Sequence, residues 1–175
     1  MLSFNLLRLE RRLHTALRAR ADRRAALLAT SHPDPRIQPK PPHLLTGERG
    51  EDAAFFHLRS LGYTIVARRW RSRRLPGDLD LIAWDGPTLV IFEIKTLTAS
   101  RDQAFAPAET AVDRPKQDML RKMAASYLNL LPEPHRASVP IRFDILAVYL
   151  LPTATEFHHI RDAFPRSAPP QRRLR

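Results

Sequence analysis

The stretch from Leu79 to Lys95, LDLIAWDGPTLVIFEIK, constrains the fold more than any other part of the chain. Within it Leu89, Val90, Ile91, Phe92 and Ile94 present no polar face. A half-buried strand alternates apolar and polar residues; a strand covered on both sides does not. This segment therefore belongs inside a sheet with packing on both faces, and helices are the elements that supply such packing. IRFDILAVYL at 141–150 has the same character. The helices are also legible. TGERGEDAAFFHLRSLGY has Thr46 to cap its start, with Glu48, Glu51 and Asp52 suited to the positive first turn. Its buried face is Ala54, Phe55, Leu58 and Leu61, and Gly62 stops it. DRPKQDMLRKMAASYLNLL at 113–131 is a helix capped by Asp113 with Pro115 in its first turn. Met119, Leu120, Met123, Tyr127 and Leu130 form its apolar face. YTIVARRW at 63–70 reads as a strand and TEFHHI at 155–160 as a short edge strand; residues 71–75 and 98–112 read as loops. The expected class is α/β, a mixed β-sheet flanked by helices.

This core occupies residues 45–164. Residues 1–30 form a basic helical extension, with Leu6, Leu9, Leu13, Leu17 and Leu27 on one face of FNLLRLERRLHTALRARADRRAALLA. A membrane-surface or partner helix, an Arg-rich targeting segment and a plain extension are the competing accounts. Glu10 and Asp22 argue against targeting, and the plain extension is favoured. SHPDPRIQPKPPH holds five prolines within a 31–44 linker, and residues 165–175 make a Pro- and Arg-rich disordered tail.

The hairpin carries charge where apolar residues would be cheaper. Pro87 disfavours a two-residue Asp85–Gly86 turn, so a four-residue loop from Asp85 to Thr88 is expected, pairing Trp84 with Leu89. Counting back, Asp80 then opposes Glu93 and Asp78 opposes Lys95; a slip of two residues would oppose Asp78 to Glu93 instead. Opposed residues have Cβ atoms about 4.5–5.5 Å apart, and like charges there destabilise the pair. A carboxylate in such a covered strand is paired, protonated or bound to a cation. Two converging carboxylates make a hard-oxygen site suited to Mg²⁺, which completes its shell with water and phosphate. Lys95 shares the face of Glu93 and could orient water, hold a phosphate oxygen or act as a base. A charged ladder at an exposed sheet end is the competing account. Glu51, read alone, is an acid favourable to its helix dipole.

The elements GERGEDAAFFHLRSLGY, GDLDLIAWDGPTLVIFEIK, KQDMLRKMAASYL and IRFDILAVYL…EFHHIRDAF, in this order, resemble the bacterial YraN family. That resemblance implies a restriction-endonuclease-like, PD-(D/E)xK nuclease fold similar to archaeal Holliday junction resolvases. It implies metal-assisted hydrolysis of DNA phosphodiesters, with branched DNA as a candidate substrate. Asp80, Glu93 and the Ile94 carbonyl would hold Mg²⁺ or Mn²⁺, Lys95 would position the nucleophile, and Glu51 would orient water or help hold a second ion. Asp78 stands where the family usually has Glu, and no ligand role is assigned to it. A homodimer is an expectation from the junction resolvases alone. The alternative is a non-cleaving nucleic-acid-binding protein of the same fold, assisting DNA repair, recombination or uptake.

A net charge of +11 suits a polyanionic partner, DNA first with RNA left open, though an Arg-for-Lys bias on an ordinary surface gives the same total. Arg68, Arg69, Arg71, Arg73 and Arg74 beside the site are candidate phosphate contacts, and the family resemblance implies a further one at Lys116, at the next helix start. A solvated role competes for each. The chain has no cysteine, which removes disulfides, thiolate metal sites and a Cys nucleophile. No apolar run reaches the length of a membrane span or of a secretory signal, so the expected location is the bacterial cytoplasm. The seven histidines show no zinc spacing, and neither a Gly-rich phosphate loop nor a G-x-S-x-G elbow is present. Asp144, sharing a face with Arg142, reads as structural.

Overall fold

The structure, a computed structural model, describes residues 42–98, 112–133 and 135–167. The basic helix expected at 4–29, nearly all of the Pro-rich linker, the loop at 99–111 and the tail at 168–175 lie outside the described residues. The chain divides into two compact units, Met1–Glu48 and Arg49–Arg175. The described part of the first unit is the opening of a helix, with Leu44 and Leu45 exposed. The second unit carries the sheet.

The order is α1 (Pro42–Ser60), β1 (Thr64–Trp70), β2 (Leu79–Asp85), β3 (Thr88–Leu97), α2 (Arg114–Leu128), a single-turn α3 (His135–Ser138), β4 (Ile141–Leu150) and β5 (Thr155–Ile160). The five strands lie in chain order across one sheet. β1–β2, β2–β3 and β4–β5 are antiparallel, and β3–β4 is parallel. β3, the strand without a polar face, is central. The sheet is mixed because the chain leaves β3 through α2 before returning as β4; a parallel neighbour needs such a crossover.

Each face of the sheet has its own apolar cluster. On one, Ala54 and Leu58 of α1 pack against Leu81, Ala83, Val90, Phe92, Ile94, Leu146 and Val148. On the other, Leu120, Met123, Ala124 and Leu128 of α2 pack against Leu79, Ile82, Leu89, Ile91, Phe143 and Ile145. Covering both faces is what lets β3 run apolar from Leu89 to Phe92, every side chain buried.

Several expectations need correction. Thr46 does not cap α1, which starts at Pro42; a proline loses nothing in a first helical turn, where its missing N–H would be unpaired anyway. Leu61 and Leu130 are not core residues: at 55% and 65% exposure they lie past the ends of their helices, where the apolar period continues in the letters but the chain has turned away. Phe56, not counted on the buried face, is buried. The hairpin loop is two residues, not four, since Asp85 pairs with Thr88. Gly86 at φ +58 makes this possible. A primed turn needs a positive φ at its first central position, and the second position of a II′ turn takes the negative φ that proline fixes. Gly62 at φ +93 ends α1 as expected. Asp113 caps α2, its Oδ1 accepting from the Lys116 amide at 2.9 Å. β4 and β5 have their expected bounds.

Candidate functional site

The hairpin register sets the site. Trp84 pairs with Leu89 and Leu81 with Phe92, so one step further along the same register Asp80 stands across from Glu93. The two-residue slip does not occur. Asp80, Glu93 and Lys95 project on the α2 side of the sheet, the side of Ile82, Leu89 and Ile91. Glu93 is only 4% exposed. Its Oε1 lies 3.0 Å from Lys95 Nζ and its Oε2 3.0 Å from Lys116 Nζ. Lys116 reaches it from the first turn of α2. The two contacts differ in kind. Oε2 is at ion-pair distance from Lys116, yet it is fully buried and accepts no hydrogen bond. The Lys116 ammonium attracts this oxygen without the angle of a hydrogen bond, so the oxygen keeps lone-pair capacity.

Asp80 accepts a 2.7 Å hydrogen bond from the Ile94 amide through Oδ2. Burial, and after it the Glu93 carboxylate, push its pKa up to about 7 against the Ile94 bond and the Lys116 charge; Glu51 adds a smaller upward push. An acid raised in this way favours folding fully below its ordinary pKa near 4, and that contribution is lost as pH rises through 7. The metal-free protein is expected to lose about 2–4 kcal/mol between pH 4 and 8 from this group, at about 1.4 kcal/mol per unit. Urea unfolding in chelator across that range checks it. Asp80→Asn, which keeps an acceptor for the Ile94 amide, should flatten the curve and be the more stable protein at pH 8. A wild-type curve parallel to that of the variant would remove the crowding.

Glu51 reaches this neighbourhood because Gly50 lets α1 approach the end of β3. A Cβ on Gly50 would stand 1.9 Å from Thr96 Oγ1 and 2.8 Å from Thr96 Cβ. Alanine would gain about 1 kcal/mol of helix propensity. The overlap includes Cβ, which a rotamer change cannot move, so overpacking at about 1–3 kcal/mol outweighs it. Gly50→Ala should therefore lower the melting temperature by several degrees, and adding Thr96→Gly should recover part of the loss. Glu51 itself is held by Arg69, whose Nε donates to Oε2. Arg69 adopts φ +47, a left-handed conformation uncommon for a side chain of its size.

The remaining arginines are placed unevenly. Arg68 donates to Asp52 and lies over the Phe55 ring. Arg71 pairs with Asp78 at 3.5 Å, and Asp78 lies just before β2, outside the strand pairing expected to set it against Lys95. Arg73 and Arg74 are exposed and have no ion pair among the described residues. Asp144 is structural in its contacts: Arg142 grips both of its oxygens, and His159 Nε2 and the Asp162 amide complete its partners. Lys116, expected as a phosphate contact, instead meets Glu93, and nothing local in the sequence signals that contact.

Among the described residues no three His, Cys, Asp or Glu side chains converge as a ligand set. The donors here are two carboxylates with a neighbouring backbone carbonyl. Mg²⁺ accepts such a set, taking one or two carboxylates and filling its shell with water and phosphate oxygen. Glu93 Oε2, buried and without a hydrogen bond, fits that donor chemistry. The described residues include no helix long and apolar enough to cross a membrane.

Comparison with known proteins converges on one family. Residues 50–148 match the uncharacterised protein family UPF0102. The chain is 45% identical to a UPF0102 protein of Koribacter versatilis over 125 residues, 71% of this chain and 82% of that one. It is 39% identical to a UPF0102 protein of Solibacter usitatus over 118 residues, 67% of this chain and 84% of the other. A Frankia casuarinae UPF0102 protein is 40% identical over 119 residues, 67% and 94% of the two chains.

Proposed function

The chain belongs to the UPF0102, or YraN, family, and from that premise we propose that it is a divalent-metal-dependent nuclease with a restriction-endonuclease-like fold, acting on DNA. One observation carries the reading. Asp80 and a nearly fully buried Glu93 are brought onto one face of the sheet with two lysine ammonium groups around them. A carboxylate pair this close costs stability unless a cation shares it.

Asp80, Glu93 and the Ile94 carbonyl would hold Mg²⁺ or Mn²⁺. The ion, when bound, supplies Lewis-acid polarisation of the scissile phosphate. Lys95, on the rim beside Glu93, positions the attacking water or holds a phosphate oxygen. Glu51, fixed by Arg69, orients water from the α1 side. Arg73 and Arg74 offer free guanidinium groups to the backbone phosphates.

Branched DNA is the preferred substrate on the likeness to junction resolvases, and the protein would act in the cytoplasm, as a homodimer on the same likeness. The test is a cleavage panel of linear, flap, forked and four-way DNA with Mg²⁺ or Mn²⁺. Metal-dependent product on at least one substrate is expected.

The second reading is a nucleic-acid-binding protein of the nuclease fold that does not cut. The two lysines favour it, since together they compensate Glu93 without a metal. It predicts salt-sensitive binding and no turnover on every substrate of the panel.

A further inference from the structure

The two lysines on Glu93 are not equivalent. Lys95 comes from the same strand, two residues on, and reaches Oε1. Lys116 comes from α2 and reaches Oε2, the oxygen with no hydrogen bond. Lys116 is also the cation with the strongest influence on Asp80. Its ammonium contacts Glu93, and its charge reaches Asp80 as well. Its side chain is about one-third exposed, so it has room to leave.

We propose that Lys116 is a built-in counter-ion occupying the divalent-cation position in the metal-free protein, and that it must vacate Glu93 Oε2 for the ion to enter. The inference rests on the metal-site reading above and adds a regulated exchange to it. Without a metal, Lys116 keeps the buried carboxylates tolerable. Its four-carbon stem then swings the ammonium outward from the helix start, toward the side where a phosphate would approach. Loading of the site and release of a phosphate-binding lysine become one event.

The test is Mn²⁺ binding by calorimetry to the full chain and to Lys116→Met, Lys95→Met and Asp80→Asn. Removing a resident competitor should tighten Mn²⁺ binding by Lys116→Met about two- to fivefold, the worth of one partly exposed ion pair. Lys95→Met removes the same charge at the same distance from Glu93, so it controls for field alone and should tighten binding much less. Asp80→Asn should weaken it. Equal gains in the two lysine variants, or no gain in Lys116→Met, overturn the exchange while leaving the metal site standing. Absence of Mn²⁺ binding by the wild-type protein overturns both. If Lys116→Met does not fold, acylation of wild-type lysines read by mass spectrometry decides. Labelling of Lys116 should rise several-fold on adding Mn²⁺ and stay unchanged in Asp80→Asn, and a Lys116 rate indifferent to Mn²⁺ in wild type sinks the exchange.

Discussion

If the chain is the nuclease proposed above, Lys95→Ala is expected to lower metal-dependent DNA cleavage by at least about a hundredfold and Asp80→Asn to abolish it, with DNA affinity changing less than about threefold in either variant. The size follows from the roles. A positioned group that orients or deprotonates the nucleophile contributes about 10²–10⁴ in rate. A carboxylate that holds the ion carries the whole metal contribution, worth several kcal/mol of charge stabilisation. Binding should survive because each is a single residue, whereas the affinity of a protein for DNA is spread over many phosphate contacts. Neither substitution should unfold the protein. Lys95→Ala leaves Glu93 with Lys116 at 3.0 Å. Asp80→Asn keeps an acceptor for the Ile94 amide and removes the carboxylate that crowds Glu93. The measurement is nicking rate on the preferred substrate at saturating Mn²⁺, beside binding in Ca²⁺ or chelator. Cleavage that persists equally in both variants would remove Asp80 and Lys95 from the chemistry. Loss of cleavage together with loss of binding would assign the lysine to the phosphate backbone instead.

The pairing of Asp80 with Glu93 was readable from sequence even though the turn was misjudged, and the reason is geometric. Zipping one more pair, Asp85 with Thr88, shortens the loop by two residues and leaves every earlier pair unchanged. A face assignment survives any even error and fails on an odd one. Long apolar runs were equally legible: β3 and β4 announce burial on both sides by lacking a polar period. Helix ends were less so. Leu61 and Leu130 keep the helical spacing, but spacing says nothing about where the chain turns away, and both end in solvent. The start of α1 was hidden because proline signals both a linker and a first helical turn. Contacts between distant segments were beyond reach. Lys116 meets Glu93 across 23 positions of chain, and only the packing of α2 on the sheet brings them together. Arg69 shows the same limit, since its turn toward Glu51 depends on a left-handed backbone that no residue type announces.

Asp144→Ala should cost about 3 kcal/mol, the largest stability loss of any single substitution considered, because it removes a buried carboxylate that accepts from Arg142, His159 and the Asp162 amide. Asp144 is 1% exposed on β4, and every group around it donates: Arg142 through Nε and Nη2, His159 through Nε2, and the Asp162 amide. Arg142 would keep Asp85, which Arg161 shares, and the Tyr63 hydroxyl. The Asp162 amide would be left without its acceptor, a further about 1–3 kcal/mol if water does not reach it. The urea midpoint at pH 7 reads the loss. The pH dependence identifies the cause. Burial pushes the Asp144 carboxyl up, but the hydrogen bonds from His159, Arg142 and the Asp162 amide, with the Arg142 charge, outweigh it and hold the pKa below the ordinary range. A depressed acid contributes stability above its unfolded pKa near 4 and loses it as pH falls through the folded value. The gap between wild type and Asp144→Asn should therefore narrow on acidification below about pH 4. A gap constant with pH would mean packing, not charge. The contrast with Asp80 is what separates a structural acid from a candidate site. Both are carboxylates within one sheet. Asp144 has donors on both oxygens and a lowered pKa, whereas Asp80 is crowded by a second acid that itself holds an oxygen without a hydrogen bond, and its pKa is raised. The hairpin therefore holds two crowded carboxylates whose compensation comes from lysine side chains at ion-pair distance from Glu93, one of its oxygens accepting no hydrogen bond.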